Sequence, residues 1–469
     1  MSAPLGRAWE WPLPSPGSGV RSPDLPLPPE GSRALVVGLG ASGRSLVRFL
    51  SSRGLRVRVC DLRSRQELDD VLASLPPGSE TVLGGYDERV LDGCAAVYAS
   101  PGVPWDAPLL RAARAMGAMV SSDVDLFLRL CPAPVVGVTG TNGKTTTTAL
   151  IGMVLGRGPW PVVVAGNIGD PVLDHLDELT PGHRVVLELS SFQLESCARP
   201  RVEVGVVLNV TPDHLDRHGS MEAYIAAKAR LVRFLEPEDH AVLNGLDPVC
   251  RRLAGETRAR VTWFDRHRPV PPMPVPGRHN QLNALAAAAV GRILGLPDPV
   301  IESAIRDFPG VEHRLELVAE GDGVRWYNDS KATNPDAGLV GLQAFEGTPV
   351  ILIAGGHGGG FDLEPWLRAI RARTRAVVLI GASAALLEER LAGHPVRLAG
   401  SIEEAVAIAA DLARPGDVVL LSPGYKSYDM FASYEERGRR FKAAVRRRLG
   451  LTADGSGPDR RRDPGGRFR

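Results

Sequence analysis

Residues 135–150 read VVGVTGTNGKTTTTAL: an apolar run, a loop bounded by Gly140 and Gly143, then Lys144-Thr145 opening a threonine-rich stretch. An apolar run that feeds a helix through a glycine loop is the β–loop–α unit of a parallel α/β sheet. In such a loop Gly140, Thr141, Asn142 and Gly143 point successive backbone N–H groups into one concavity at a helix N-terminus, which makes an anion cradle. Lys144 is placed to reach the outer phosphates of a nucleotide, and Thr145 to hold Mg²⁺. Two residues separate the glycines, where the common phosphate loop has four. The shortening is either an accident or the mark of a particular branch of ATP-using enzymes, and the rest of the chain decides between these.

At 469 residues the chain has room for two to four domains of roughly 100–200 residues each. Hydrophobic residues make up 44% and charged residues 23%, which supplies full cores of ordinary soluble type. A formal charge of +1 gives no electrostatic reason to bind nucleic acid or an anionic membrane. Cys60, Cys94, Cys131, Cys197 and Cys250 are scattered and lack CxxC spacing, so neither a disulfide framework nor a zinc site is expected. Residues 1–30 are crowded with proline and have no apolar core, which predicts a disordered extension and not a signal peptide. The basic, glycine-rich residues 450–469 read as a second disordered tail. No window approaches the ~20 apolar residues of a membrane span. Together these features predict a cytoplasmic protein.

Three segments, 31–123, 124–309 and 310–449, each alternate short β-like runs with helical patterns, as parallel α/β domains do. Polar and glycine residues cluster just after the strands, where open α/β sheets place ligands. In the first segment Gly38-Leu-Gly40-Ala-Ser42-Gly43 follows a strand and opens a helix, and Asp61 ends the next strand. That is the dinucleotide fingerprint, and it predicts a nucleotide or other phosphate-bearing ligand; glycines kept only for close strand–helix packing are the alternative. Ser100-Pro101-Gly102 lies on the same rim. In the second segment Glu188 ends an apolar run, where a carboxylate can bind the Mg²⁺ that accompanies ATP. Asn209-Val-Thr-Pro-Asp213-His214-Leu-Asp216-Arg217-His218 packs far more polar chemistry than a turn needs.

TGTNGKTTT, ELSSFQLE, NVTPDHLDRH, HNQLNALAA and NDSKATN occur in this order. They resemble the Mur ligase family, and within it the glutamate-adding branch, over essentially Ala34 to Leu449. The resemblance implies a three-domain α/β architecture: a Rossmann-like N-terminal domain, a central P-loop ATPase domain and a Rossmann-like C-terminal domain. It implies an ATP-dependent amide ligase of cytoplasmic peptidoglycan precursor synthesis. Such an enzyme adds glutamate, D-glutamate by preference, to UDP-N-acetylmuramoyl-L-alanine through an acyl phosphate. A monomer is expected, with no nucleic-acid partner and no membrane insertion.

The site residues implied are these. Gly140–Thr146 hold ATP, with Thr145 and Glu188 on one Mg²⁺ and His214 on a second. Lys228 matches the family lysine that CO₂ carbamylates. A bare ammonium about 4 Å from Mg²⁺ is repelled by roughly 8 kcal/mol at an effective dielectric of 20, and a carbamate reverses that sign. Asn283 would contact adenine. Arg314, Asp329 and Lys331 would close over ATP, Asp329 on a ribose hydroxyl. Gly40, Ser42, Asp61 and Ser100–Gly102 would surround UDP, while Asn167, Ser190 and Gln193 face the lactyl-alanine end. The amino acid would meet Lys331, Thr333, Lys426, Ser427, Tyr428 and Tyr434.

The amino-acid site departs from the family pattern. Where Ser-Pro-Ala-Cys-Ala-Ser is usual, this chain has Ser422-Pro423-Gly424-Tyr425-Lys426-Ser427, and the Gly355–Gly360 loop lacks its usual lysine. Lys426 is expected to replace that cation. The change leaves an L-glutamate-adding variant as an alternative. A folate polyglutamate ligase shares the shortened loop but has no use for the Gly38–Gly43 fingerprint. An NAD-linked oxidoreductase or a nucleotide-sensing regulator leaves Glu188, His214 and Lys228 unexplained.

Overall fold

The computed structural model describes residues 27–167, 171–265, 273, 275–359 and 361–451. The two expected tails therefore fall almost wholly outside the described residues. The chain divides into two compact units. The first comprises residues up to Pro132 together with two short excursions, within Gly169–Thr180 and Ser191–Arg201; the second holds the remainder.

The first unit carries a five-stranded parallel sheet of β1 (Arg33–Val37), β2 (Arg56–Asp61), β3 (Glu80–Leu83), β4 (Cys94–Ala99) and β5 (Met119–Ser122). Its order, β3-β2-β1-β4-β5, reverses direction at β1. The crevice beyond the carboxyl ends of β1 and β4 is the switch point where such sheets take ligands. Leu35, Val37, Val97 and Leu110 form the apolar core on which the sheet rests. Asp174, in one excursion, accepts from Ser45 Oγ at 2.7 Å and from Arg48 at 2.8 Å, which ties it to the helix Ala41–Ser52.

The second unit has two sheets. One contains β6 (Val135–Thr139), β7 (Val162–Gly166), β8 (Arg184–Glu188), β9 (Val204–Val207), β10 (His240–Asn244) and β11 (Arg260–Phe264), ordered β11-β10-β9-β6-β8-β7 and parallel throughout. The helix Lys144–Leu155 packs its Leu150, Ile151 and Val154 on this sheet and against the helix Arg278–Ile293. The alanines 286–289 and Gly291 allow that close approach: a Cβ on Gly291 would lie 2.9 Å from Val154 Cγ1.

The other sheet contains β12 (Glu316–Gly321), β13 (Val324–Asn328), β14 (Val350–Ala354), β15 (Thr374–Leu379), β16 (Val396–Leu398) and β17 (Val418–Leu421), ordered β12-β13-β17-β14-β15-β16. It is parallel except at β12, which runs antiparallel to β13. The expected all-parallel pattern fails there for a local reason. Asp322-Gly323 joins the two strands with both residues at positive φ (55° and 73°), the backbone a tight two-residue hairpin requires. Among the described residues, no helix is long and apolar enough to cross a membrane.

Candidate active site

β6 ends at Thr139, and the chain enters the loop through Gly140 (φ 159°) and leaves it through Gly143 (φ 84°) into the helix Lys144–Leu155. Gly143 is required twice over: its φ is left-handed, and a Cβ would sit 2.5 Å from Asn283 Oδ1. Asn283, expected at adenine, thus lies against the loop itself and also donates to Asn280 Oδ1 at 3.2 Å. Asn209, after β9, brackets the loop. Its carbonyl accepts from Thr141 N–H (2.9 Å), its Oδ1 from Asn142 N–H (2.8 Å), and its Nδ2 donates to Asn142 O (3.0 Å). Thr141 Oγ1 also lies 3.1 Å from Tyr224 OH.

Two lysines meet this loop. Lys144 Nζ folds back to donate to Gly140 O and Thr141 O, both at 2.9 Å. Lys228, on the helix Met221–Arg233, is 1% exposed; its Nζ donates to Gly140 O at 2.7 Å and lies 4.7 Å from the Tyr224 ring centroid. Burial, helped by the Lys144 charge, pushes the Lys228 amine down to about 6, so it is largely unprotonated at neutral pH. Burial also lowers Lys144, with Glu188 opposing and Arg314 reinforcing the shift.

Glu188 closes β8, also buried. Its Oε1 accepts from Asn167 Nδ2 at 2.9 Å, whereas Oε2 is buried without a hydrogen-bond partner among the described residues. A buried carboxylate oxygen left bare is costly unless a cation joins it. Together with the buried Thr145 at the head of the helix, it suits a hard, oxygen-seeking ion such as Mg²⁺. His214 has left-handed backbone (φ 52°) and a half-exposed ring, 3.5 Å from Asp213 Oδ2. The fields of Asp213, Glu188 and Lys144 all reach Lys228, and those of Arg314 and Lys331 reach Lys144. Lys144 therefore stands within electrostatic reach of Glu188, Lys228, Arg314 and Lys331.

Arg314 is flanked by two left-handed non-glycine residues, His313 (φ 64°) and Leu315 (φ 44°), each costing about 1–3 kcal/mol in strain. Asp329 is buried, accepting from Ser422 Oγ at 2.7 Å and Leu315 N–H at 3.3 Å, and burial raises its carboxyl to about 7. Lys331 lies 5.8 Å from the Tyr434 ring centroid, and Thr333 N–H donates to Lys331 O. Arg437, absent from the sequence expectations, is fully buried and joins Ser330 O (2.9 Å) to Tyr425 O (3.1 Å), pinning the loops that carry Lys331 and Ser427. Ser427 is buried, while Lys426 and Tyr428 are exposed. His357 and Lys426 pair through both backbones: His357 N–H donates to Lys426 O at 2.8 Å and Lys426 N–H to His357 O at 3.1 Å. The lysine-free glycine loop thus has a lysine on the adjoining strand-like segment.

In the first unit, Gly43 answers to packing, since a Cβ there would fall 1.9 Å from Gly38 O. Gly40 does not; the space beside it is open. Asp61 accepts from Leu39 N–H at 2.7 Å and from Arg63, whose hydrogen bond is the main cause holding the carboxyl down to about 2. Ser42 bonds the buried Asp123, and Ser100 Oγ donates to Gly38 O at 2.8 Å, setting Ser100–Gly102 beside the fingerprint loop. Gln193 is buried in the short helix Ser191–Ser196. Ser190 belongs to the second unit.

Residues 32–122 match the Mur ligase MurD-like N-terminal domain, 138–270 the Mur ligase middle domain and 313–424 the Mur ligase glutamate ligase domain. The chain belongs to the Mur ligase family. It is 44% identical to the UDP-N-acetylmuramoylalanine–D-glutamate ligase of Anaeromyxobacter dehalogenans, covering 88% of this chain and 97% of that one. It is 42% identical to the enzyme of the same name from Pelotomaculum thermopropionicum, with the same coverage. Among solved structures, the UDP-N-acetylmuramate-alanine ligase of Thermotoga maritima superposes with a TM-score of 0.56 over 89% of this chain and 99% of that one, at 20% identity. That likeness establishes the three-domain α/β fold of a Mur ligase. Ligases of this family form amide bonds with ATP and Mg²⁺.

Proposed function

We propose that this Mur ligase joins D-glutamate to UDP-N-acetylmuramoyl-L-alanine in the cytoplasm, consuming ATP, as an early step of peptidoglycan precursor synthesis. The observation that carries the reading is the gathering of Lys144, Lys228 and Glu188 around one glycine loop, in a chain over 40% identical to D-glutamate-adding relatives. A carboxylate is a poor acylating agent because its leaving group would be oxide. Transfer of the γ-phosphoryl group of ATP onto the alanine carboxylate gives an acyl phosphate; the amine of glutamate then displaces phosphate to form the amide.

Phosphoryl transfer needs charge neutralisation more than covalent help. The loop amides of 140–146 and Lys144 supply it, with Arg314 and Lys331 beside them. Thr145, Glu188, His214 and a carbamylated Lys228 are assigned the metal ligands, and bound Mg²⁺ would offset the phosphate charge. The neutral, buried Lys228 amine supports the carbamate, because only an unprotonated amine attacks CO₂. Gly40, Ser42, Asp61 and Ser100–Gly102 of the first unit are assigned UDP. Asn167 and Ser190 of the second unit are assigned the lactyl-alanine end. Asn283 supports the loop on its adenine side, and Asp329, by its place after β13, serves the ribose.

Phosphate release tests the reading. It should require ATP, Mg²⁺, UDP-N-acetylmuramoyl-L-alanine and D-glutamate together. Full release with L-glutamate and none with D-glutamate would assign the opposite enantiomer; release independent of the UDP substrate would dismiss the ligase. Ser427 and Lys426 are assigned the carboxylates of the incoming amino acid, with Thr333, Tyr428 and Tyr434 around it. A charge-assisted contact is worth about 1.5–3 kcal/mol, so Lys426→Ala should raise KM for glutamate about tenfold or more. An unchanged KM would show that Lys426 points only to solvent.

A further inference from the structure

We propose that Lys442, on the helix Tyr434–Arg448, is a positioning residue that holds Arg314 in its working orientation. The functional half of the proposal rests on the reading above, in which Arg314 meets ATP. Lys442 itself does not touch Arg314; it acts through Glu316.

The left-handed turn around Arg314 does not hold itself, so its anchors matter. Arg314 N–H donates to Val311 O at 3.0 Å, Leu315 N–H to Asp329 Oδ1 at 3.3 Å, and His313 N–H to Glu316 Oε2 at 3.0 Å. Glu316 is the busiest of these. The same oxygen accepts from Asn328 Nδ2 at 3.0 Å, and Asn328 Nδ2 also donates to His313 Nδ1 at 2.9 Å, which assigns the ring proton to Nε2. The other oxygen of Glu316 accepts from Lys442 Nζ at 2.9 Å, and Lys442 reaches Glu312 Oε1 at 2.6 Å. The ligand atoms of Glu312, His313 and Glu316 all lie within 4.8 Å of one another.

Two carboxylates this close repel unless a cation sits with them. Lys442, whose side chain is only 14% exposed, is that cation. Its effect on Glu312 is visible in the lowered carboxyl, caused first by the Lys442 hydrogen bond. The Glu312 arm is exposed and contributes little. The Glu316 arm is mostly buried, and through it the ammonium keeps Glu316 facing the His313 N–H. Remove the ammonium and Glu316 is driven away from Glu312, and the turn loses the anchor on the residue before Arg314.

The test uses the full chain with Lys442→Met, which keeps the apolar stem, and Lys442→Arg, which keeps the charge. Amide hydrogen exchange over 311–316 in substrate-free protein should quicken about tenfold in the Met variant. KM for ATP should rise about tenfold while KM for the UDP substrate and the melting temperature stay near wild type, and Lys442→Arg should recover most of both effects. Unchanged exchange, or three Michaelis constants shifting together with the melting temperature, overturns the positioning role. Quickened exchange with an unmoved KM for ATP, in a variant as active as wild type, overturns instead the placing of Arg314 on ATP.

Discussion

Lys228→Ala is expected to lower turnover about a thousandfold or more, with bicarbonate unable to restore it. The side chain is buried against Gly140 O, beside the Lys144 ammonium and within the field of Glu188. Beside the neutral amine that burial favours there, two charged forms are open to it. As an ammonium it would repel both Lys144 and any divalent ion near Glu188. As a carbamate it becomes an anion with two oxygens, matching what the bare Glu188 Oε2 already asks of a cation. Alanine can form no carbamate, so added CO₂ finds nothing to modify. Folding should survive, because the native state no longer has to bury an amine. Turnover, measured with the melting temperature alongside, checks this, and wild-type-like rates would remove Lys228 from the chemistry.

Glu188→Gln should cut kcat/KM about a hundredfold or more while leaving the melting temperature equal to or above that of wild type. The amide oxygen of Gln can keep the 2.9 Å bond from Asn167, so geometry is preserved. What disappears is a buried charge whose second oxygen has no hydrogen-bond partner among the described residues. A purely structural Glu188 predicts the reverse pattern: little change in rate and a clear change in stability. Thermal denaturation and steady-state kinetics on one preparation separate these outcomes.

Much of this could be read from residues alone. The apolar runs ending at Thr139, Glu188 and Val207 became adjacent parallel strands because continuous Val-rich runs bounded by glycine and polar residues suit a sheet buried on both faces. The polar motifs after them landed on the same sheet edge, which is why Lys144, Glu188 and the 209–218 segment were found together. Edge strands were harder: Glu80–Leu83 and Val396–Leu398 are short and partly exposed, so their alternation is weak. The β12–β13 hairpin carried a readable signal in Asp322-Gly323 that the parallel expectation passed over.

Other features have no local signature. The positive φ of His313 and Leu315 is imposed by Glu316, Asn328 and Asp329, residues whose convergence only the tertiary fold creates. Arg437 and Tyr224, both on helices, are likewise buried by packing that the local sequence does not show. The excursion tied down by Asp174 could not be assigned to the first unit from the chain between β7 and β8.

The alanine carboxylate is expected to take the γ-phosphoryl group before glutamate attacks. UDP-N-acetylmuramoyl-L-alanine labelled with oxygen-18 in the alanine carboxylate tests it directly. The enzyme, supplied with ATP, Mg²⁺ and D-glutamate, should release inorganic phosphate carrying one labelled oxygen for every amide formed. Amide formation with unlabelled phosphate would contradict it.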